Sequence, residues 1–188
     1  MLDRIIKEAS DAVVAAVQGV DNILDAVTGS VKDQVVNALQ NAGEIGGTTV
    51  EAVASVADGA IKGAGQVGGS LTELTEGTIR GVVKGVSQVG GDVLTALRGG
   101  ASGVVKGASD TGNDVGTAAV NAVQSSIKVA GETGVNVTEA VKASVGGALD
   151  AATSIGGSAA DTARNALLSA AALPHDVVEA AIKGHDEK

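Results

Sequence analysis

The chain has no phenylalanine, tyrosine, tryptophan or cysteine, and only one proline and one methionine in 188 residues. Aromatic side chains normally dominate the area that a globular core buries, so any core here must consist of Val, Leu, Ile and Ala. A bulky, enzyme-like core is therefore not expected. Without cysteine, the chain also lacks disulfides and a cysteine nucleophile.

Targeting and membrane-spanning segments are not evident either. Asp3 and Glu8 interrupt the first ten residues, which is untypical of a secretory signal peptide. The longest uncharged run, residues 115–127, is too short and too polar to cross a bilayer. By default, these features predict a cytoplasmic location.

The charge balance is acidic, with a net charge of −9 at pH 7. Such a chain is a poor partner for nucleic acid or anionic lipid, because both are negatively charged. Its 44% hydrophobic and 19% charged content also argues against a disordered acidic tail, which has few apolar residues. We therefore expect an ordered chain with no nucleic-acid partner.

An internal repeat organises almost the whole chain. The segment "IKGAGQVGG" at residue 61 returns as "VKGVSQVGG" at 83 and as "VKGASDTGN" at 105, in steps of 22 residues without insertion. Each unit divides into two elevens, and this phase can be followed from residue 6 to about residue 181. We divide the chain into a lead-in (1–5), a repeat region (6–173), and a short C-terminal helix with a polar tail (174–188) that begins at Pro174.

The eleven-residue pattern predicts amphipathic helix. Eleven residues in three turns correspond to about 98° per residue. Counted from Ile61, the apolar positions 1, 4, 7, 8 and 11 then form one unbroken arc, whereas a strand would need alternation. The sequence predicts an all-α fold of long amphipathic helices, or of glycine-punctuated helices, with nearly straight or right-handed coiled-coil-like packing. A β-solenoid with 22-residue coils is the alternative.

Glycine at position 8 of every second eleven permits two explanations. These glycines are Gly46, Gly68, Gly90, Gly112, Gly134 and Gly156. Each lies within the apolar arc and costs about 0.8–1 kcal/mol inside a helix, so it needs a reason. We favour a helix-packing role, with long helices that kink or fray at these positions. Alternatively, each glycine ends a helix and the chain folds up and down. Good N-cap residues two positions later would allow this: Thr48, Ser70, Asp92, Asp114, Asn136 and Ser158.

Motifs that suggest chemistry are weak. Gly63, Gly65 and Gly68 match the G-x-G-x-x-G spacing of a dinucleotide loop, but the next two repeat copies have serine at the second glycine position. No βαβ context is predicted either.

The pair Ser125 and Lys128 matches an S-x-x-K motif but has no partner motif. His175 and His185 are too far apart for a metal site on one helix face, and we interpret them as solvated terminal residues. We predict no catalytic, metal or cofactor site, no small-molecule substrate and no enzymatic activity.

The segment "VVKGVSQVGGDVLTALRGGASGVVKGASDTGNDV", residues 82–115, resembles the repeats of perilipins and synucleins. The resemblance lies in Gly, Val, Thr and Ala arranged in elevens. It implies long helices that lie on lipid droplets or membranes. The Lys-Thr-Lys-Glu core of synuclein repeats is absent and the chain is acidic, which argues against an anionic membrane and leaves a neutral lipid surface as the possible partner.

The competing hypothesis is a non-enzymatic scaffold in which helices of several copies self-associate as an oligomer or filament. Charges at position 2 partly alternate in sign, and a parallel neighbour displaced by eleven residues would place Glu beside Lys. These register charges are Glu51, Lys62, Glu73, Lys84, Lys106 and Lys128. The sequence predicts a homo-oligomeric scaffold, with a lipid-surface coat as the alternative.

Overall fold

The computed structural model describes residues 2–18, 22–41 and 49–187. Within these ranges the chain forms nine α-helices and no strand, so the predicted all-α class is confirmed and the β-solenoid is wrong for this part of the chain. The helices are α1 (Leu2–Val17), α2 (Ile23–Asn41), α3 (Thr49–Gln66), α4 (Leu71–Gln88), α5 (Val93–Asp110), α6 (Val115–Thr133), α7 (Val137–Ile155), α8 (Ala159–Ser169) and α9 (His175–Asp186).

The 22-residue period corresponds to one helix and the turn that follows it. Helices α3 to α8 begin at residues 49, 71, 93, 115, 137 and 159, each 22 residues after the previous one. The favoured prediction of long helices that kink at glycines is therefore wrong for the described residues. The chain folds up and down in helix hairpins, as the alternative predicted.

The position-8 glycines end the helices. Gly68, Gly90, Gly112, Gly134 and Gly156 have φ angles between +75° and +83°, a left-handed conformation that L side chains rarely adopt. After α4, the Gly91 N–H donates to the Val86 carbonyl at 2.9 Å and the Gly90 N–H to that of Ser87 at 3.1 Å. These two bonds form a Schellman motif, and α5 ends in the same way.

Side-chain caps begin the next helices. Ser70, Asp92, Asp114 and Asn136 each accept a hydrogen bond from the backbone N–H three residues later. The hydroxyl groups of Thr95 and Thr117, followed by their backbone N–H groups, lower the pKa of Asp92 and Asp114. Ser158 precedes α8 without a side-chain cap bond, so its predicted cap is wrong, and Thr48 lies outside the described residues. The turns before α4, α5, α6 and α7 thus each carry a stop signal and a start signal.

The helices stack in two layers. The odd-numbered helices pack in the order α1, α3, α5, α7 and α9, which we call the odd layer. The even-numbered helices pack in the order α2, α4, α6 and α8, which we call the even layer. Between the layers lies a core of aliphatic side chains, including Ile61, Ile79, Leu97, Leu149 and Leu167. The apolar arc predicted from the sequence is thus buried within one chain, in a helical-repeat solenoid.

Close packing within a layer depends on glycines in the middle of helices. A β-carbon at Gly81 would lie 2.7 Å from the Thr28 carbonyl oxygen, and one at Gly107 would lie 2.9 Å from that of Asp58. By contrast, a β-carbon at Gly90 would meet no atom within 4 Å, and the other turn glycines at position 8 behave in the same way. The predicted helix-packing role of the position-8 glycines is therefore corrected: other glycines pack the helices. Gly46 lies outside the described residues.

Candidate interaction groove

An open groove of about 520 Å³ crosses the outer face of the odd layer. Helices α3, α5 and α7 form it, and α1 contributes Leu2 at one margin. By number, its lining residues are mainly serines and charged residues. The polar members are Glu51, Ser55, Asp58, Ser102, Lys106, Ser109, Asp110 and Ser154, and the apolar members are Leu2, Ala54, Ala151 and Ile155.

Helical spacing brings these residues to one face. On α3 the lining residues occupy positions 51, 54, 55 and 58, and on α5 they occupy 102, 106, 109 and 110. Residues three, four and seven apart lie on the same side of a helix. Since α3 and α5 are neighbours in one layer, the two polar faces join into a continuous surface.

A three-residue ion cluster adjoins the groove, because two of its members, Asp58 and Asp110, belong to the lining. The Lys62 ammonium lies 3.0 Å from Asp58 Oδ1 and 2.6 Å from Asp110 Oδ2, which links α3 to α5. The Asp58 side chain is only 1% exposed. Burial raises its pKa, although the Lys62 ammonium partly opposes this effect. Burial also disfavours the charge on Lys62, but its hydrogen bonds with Asp110 and Asp58 outweigh burial and raise its pKa.

Two of the predicted register charges, Glu51 and Lys106, line the groove and are exposed. Within the described ranges neither side chain makes an ion pair or a hydrogen bond through its charged group. The two residues lie on the neighbouring helices α3 and α5. The groove therefore presents one acid and one cation that form no direct ion pair among the described residues, although the charge of Lys106 acts to lower the pKa of the nearby Asp58.

The other register charges are dispersed over both layers. Lys62 belongs to the ion cluster of α3 and α5, and Lys128 pairs with Glu76 of α4. The carboxylate of Glu73 accepts a hydrogen bond from Ser70 Oγ at 2.7 Å, and Lys84 is exposed on α4. The structure thus brings Glu51, Lys62 and Lys106 to the odd layer and leaves the rest on the even layer.

The other residues that the sequence motifs singled out are Ser125, Lys128, His175 and His185. Ser125 is buried in α6, while Lys128 reaches α4. His175 is exposed at the start of α9. The His185 side chain is only 21% exposed and its Nε2 lies 3.0 Å from Asp150 Oδ1, so its interpretation as a solvated terminal residue is wrong. No group of three or more His, Asp or Glu side chains able to hold a metal ion occurs in the described part of the chain.

Sequence reasoning missed most of the groove. The i, i+4 spacing of Asp58 and Lys62 was visible and is a common helical ion pair. The serines carried no signal, because Ser102 and Ser109 occur among many small polar residues. Leu2 was assigned to a lead-in before the repeats. Only the stacking of helices that are 44 residues apart in sequence brings these side chains together.

Comparisons with known proteins show a similarity of fold. No protein-family model matches the chain, and the search of curated proteins found no match. Among solved structures, the chain is similar to a de novo designed helical repeat protein, with 16% sequence identity and a TM-score of 0.53 over 100% of this chain and 95% of that chain. This likeness supports the helical-repeat architecture alone. No helix among the described residues is long and apolar enough to cross a membrane.

Proposed function

We propose that this chain is a non-enzymatic structural scaffold whose folded solenoids self-associate through the groove on the odd layer. The observation that carries the proposal is the pair Glu51 and Lys106, which the fold leaves without ion-pair partners among the described residues. In a two-fold dimer, each contact of one residue with another occurs twice in reciprocal form. Glu51 of each copy can therefore pair with Lys106 of the other.

Apolar side chains at the margins of the groove support the same arrangement. Leu2 of α1 and Ile155 of α7 are 46% and 37% exposed, and both line the groove. They lie on helices at opposite ends of the α1, α3, α5, α7 series. A two-fold axis through the middle of the groove would place Leu2 of one copy near Ile155 of the other, which removes both from water.

The lipid-surface coat is the alternative that the repeat resemblance implies. On a lipid surface, the apolar arc would have to face the lipid. Val56, Val82 and Val104 of that arc are completely buried within the chain, so they would have to leave the core first. This burial favours the scaffold, and lipid binding becomes an outcome of the test.

The proposal is tested by sedimentation velocity of the lipid-free protein over a wide concentration range. We expect concentration-dependent association that weakens with Glu51→Lys or Lys106→Glu, because each change places like charges together in the dimer. The double variant restores the pairing in reversed form and should associate like the wild type. Lys84→Glu is the matched control, since it changes the net charge as Lys106→Glu does but lies on α4.

Two results would overturn this proposal. One is a wild-type protein that stays monomeric at every concentration. The other is association that the single charge reversals leave unchanged. Circular dichroism with and without a neutral-lipid emulsion completes the experiment: a large gain in helix on lipid would favour the coat, whereas equal helicity and no co-flotation would support the scaffold.

A further inference from the structure

A second cavity, of about 400 Å³, lies where α5, α7 and α9 meet. Arg98, Lys142 and His185 line it together with small residues, among them Gly146 and Gly184. No carboxylate-bearing residue belongs to this lining, although the whole chain has a net charge of −9. Three nitrogen-bearing side chains therefore converge on one small space in an acidic protein.

Asp150 holds two of these side chains in place from outside the cavity. Its Oδ2 accepts hydrogen bonds from Arg98 Nε at 3.1 Å and Nη2 at 2.6 Å. Its Oδ1 lies 3.0 Å from His185 Nε2. Because both bonds of Arg98 use one edge of the guanidinium, Nη1 keeps its donors, and no hydrogen bond within the described ranges occupies them.

Lys142 and two glycines complete the cavity. Lys142 lies one helical turn before Gly146 on α7, and a β-carbon at Gly146 would lie 3.9 Å from Arg98 Nη1. The Lys142 side chain is 48% exposed and its ammonium group lies 3.0 Å from Glu139 Oε1, so two of its three N–H groups are left for another acceptor. A β-carbon at Gly184 would meet no atom within 4 Å, which leaves the α9 wall open.

We propose that this cavity binds a small oxyanion of the phosphate type through Arg98 Nη1 and Lys142 Nζ. A guanidinium edge recognises two oxygens of a tetrahedral anion, and an ammonium group adds a mobile charge. Asp150 acts as the positioning residue that fixes the guanidinium plane. The volume exceeds that of a phosphate ion, so the anion can be inorganic phosphate or the head of a small phosphate monoester.

The test is a titration of the ¹⁵N-labelled protein with inorganic phosphate and, separately, with a small phosphate monoester, at constant ionic strength in chloride. We expect saturable shifts of the Gly146 and Gly184 amide signals. Lys142→Gln should weaken binding by about three- to tenfold, since it removes one charge-assisted contact. A tighter fit for the monoester would identify an organic phosphate as the ligand, and equal affinity would identify the free ion.

A second variant separates a binding site from general charge attraction. Gly184→Leu fills the cavity without changing a charge and meets no neighbouring atom at its β-carbon. The fold is therefore retained, while binding should fall by about tenfold or more, because the anion loses its charge-assisted contacts. Lys84→Gln, on α4, is the matched control and should bind like the wild type. Shifts that do not saturate, or that Lys142→Gln and Gly184→Leu leave unchanged, would show non-specific anion screening only and overturn the proposal.

Discussion

Two contacts in the even layer, α2 with α4 and α4 with α6, show how one repeat builds two kinds of interface. Toward α2, helix α4 presents Gly77, Gly81 and Gly85, at which β-carbons would lie 2.7–3.0 Å from valine side chains of α2. The positions 44 residues later, on α6, hold Asn121, Ser125 and Val129, and α6 packs far less extensively on α4. Glycine at these three positions therefore goes together with the more extensive helix contact, and larger side chains go together with the less extensive one.

Polar bridges occupy the wider contact. The Glu76 carboxylate on α4 forms ion pairs with Lys128 of α6 and with Arg80 of its own helix. Arg80 Nη1 also lies 2.8 Å from Glu132 Oε2 on α6. The Asn121 side-chain amide donates to Thr72 Oγ1 at 3.3 Å. Where glycines allow backbones to approach, dispersion contacts hold the helices together. Where larger residues separate them, long charged side chains span the gap.

The largest expected effect comes from Gly81→Ala in the close contact. The new β-carbon would lie 2.7 Å from both the Thr28 carbonyl oxygen and the Val31 β-carbon. Backbone must then move, which typically costs about 1–3 kcal/mol, even though alanine is the better helix former. Urea unfolding should show this loss.

Gly131→Ala is the matched control for that variant. It lies on α6, where a β-carbon would meet no atom within 4 Å. There the substitution should stabilise the protein by about 0.4–1 kcal/mol, because it reduces the entropy of the unfolded chain. A loss of stability in both variants would contradict the close-contact explanation, since it would assign the effect to helix geometry alone.

Substitution of the turn glycine should have the same effect after α4 as after α6. Gly90 ends α4 and Gly134 ends α6, both with a φ of +75° and with no atom within 4 Å of a β-carbon. Alanine at either site should lower the free energy of unfolding by about 1–2 kcal/mol, because of left-handed strain. Asparagine, which tolerates this conformation better, should cost less. A large difference between the two sites in thermal denaturation would contradict this prediction.

The ionic contact is tested by Glu76→Gln. Hydrogen bonds from Lys128 and then Arg80 lower the pKa of Glu76, despite its partial burial. A carboxyl group whose pKa is lowered on folding contributes stability above its unfolded pKa, and this is lost as pH falls through the folded value. The variant should therefore lose about 1 kcal/mol at neutral pH.

In strong acid, the difference between Glu76→Gln and the wild type should vanish, because the wild-type carboxyl is then protonated as well. High salt at neutral pH should also reduce the difference by screening the charges. Thermal unfolding at a series of pH values provides the measurement. A difference that persists unchanged into acid would show that the glutamine is destabilising for a reason other than lost charge.

The sequence predicted the helices and their period, but not how they stack. The apolar arc and the capping residues Ser70, Asp92 and Asp114 are local features, and local features predict helices and their ends. Whether Gly90 kinks a helix or ends it depends on the competition between helix continuation and burial against another helix. The groove and the second cavity, between α5, α7 and α9, bring together residues about 50 positions apart, such as Arg98 and Asp150. No local sequence pattern specifies such contacts.

The smallest expected effect is also the sharpest test of what sets the α4–α6 contact. Ser125 on α6 corresponds to Gly81 on α4, so Ser125→Gly restores the glycine of the close contact. Asn121 and Val129 lie one turn on either side of it, are largely buried and still separate the helices. The variant should therefore gain no packing and lose roughly 0.5 kcal/mol from the flexibility of glycine. Ser125→Ala should stay within about 0.5 kcal/mol of the wild type. If Ser125→Gly instead stabilised the protein in urea unfolding, a single residue would control the approach of α6, and the three positions would not act together.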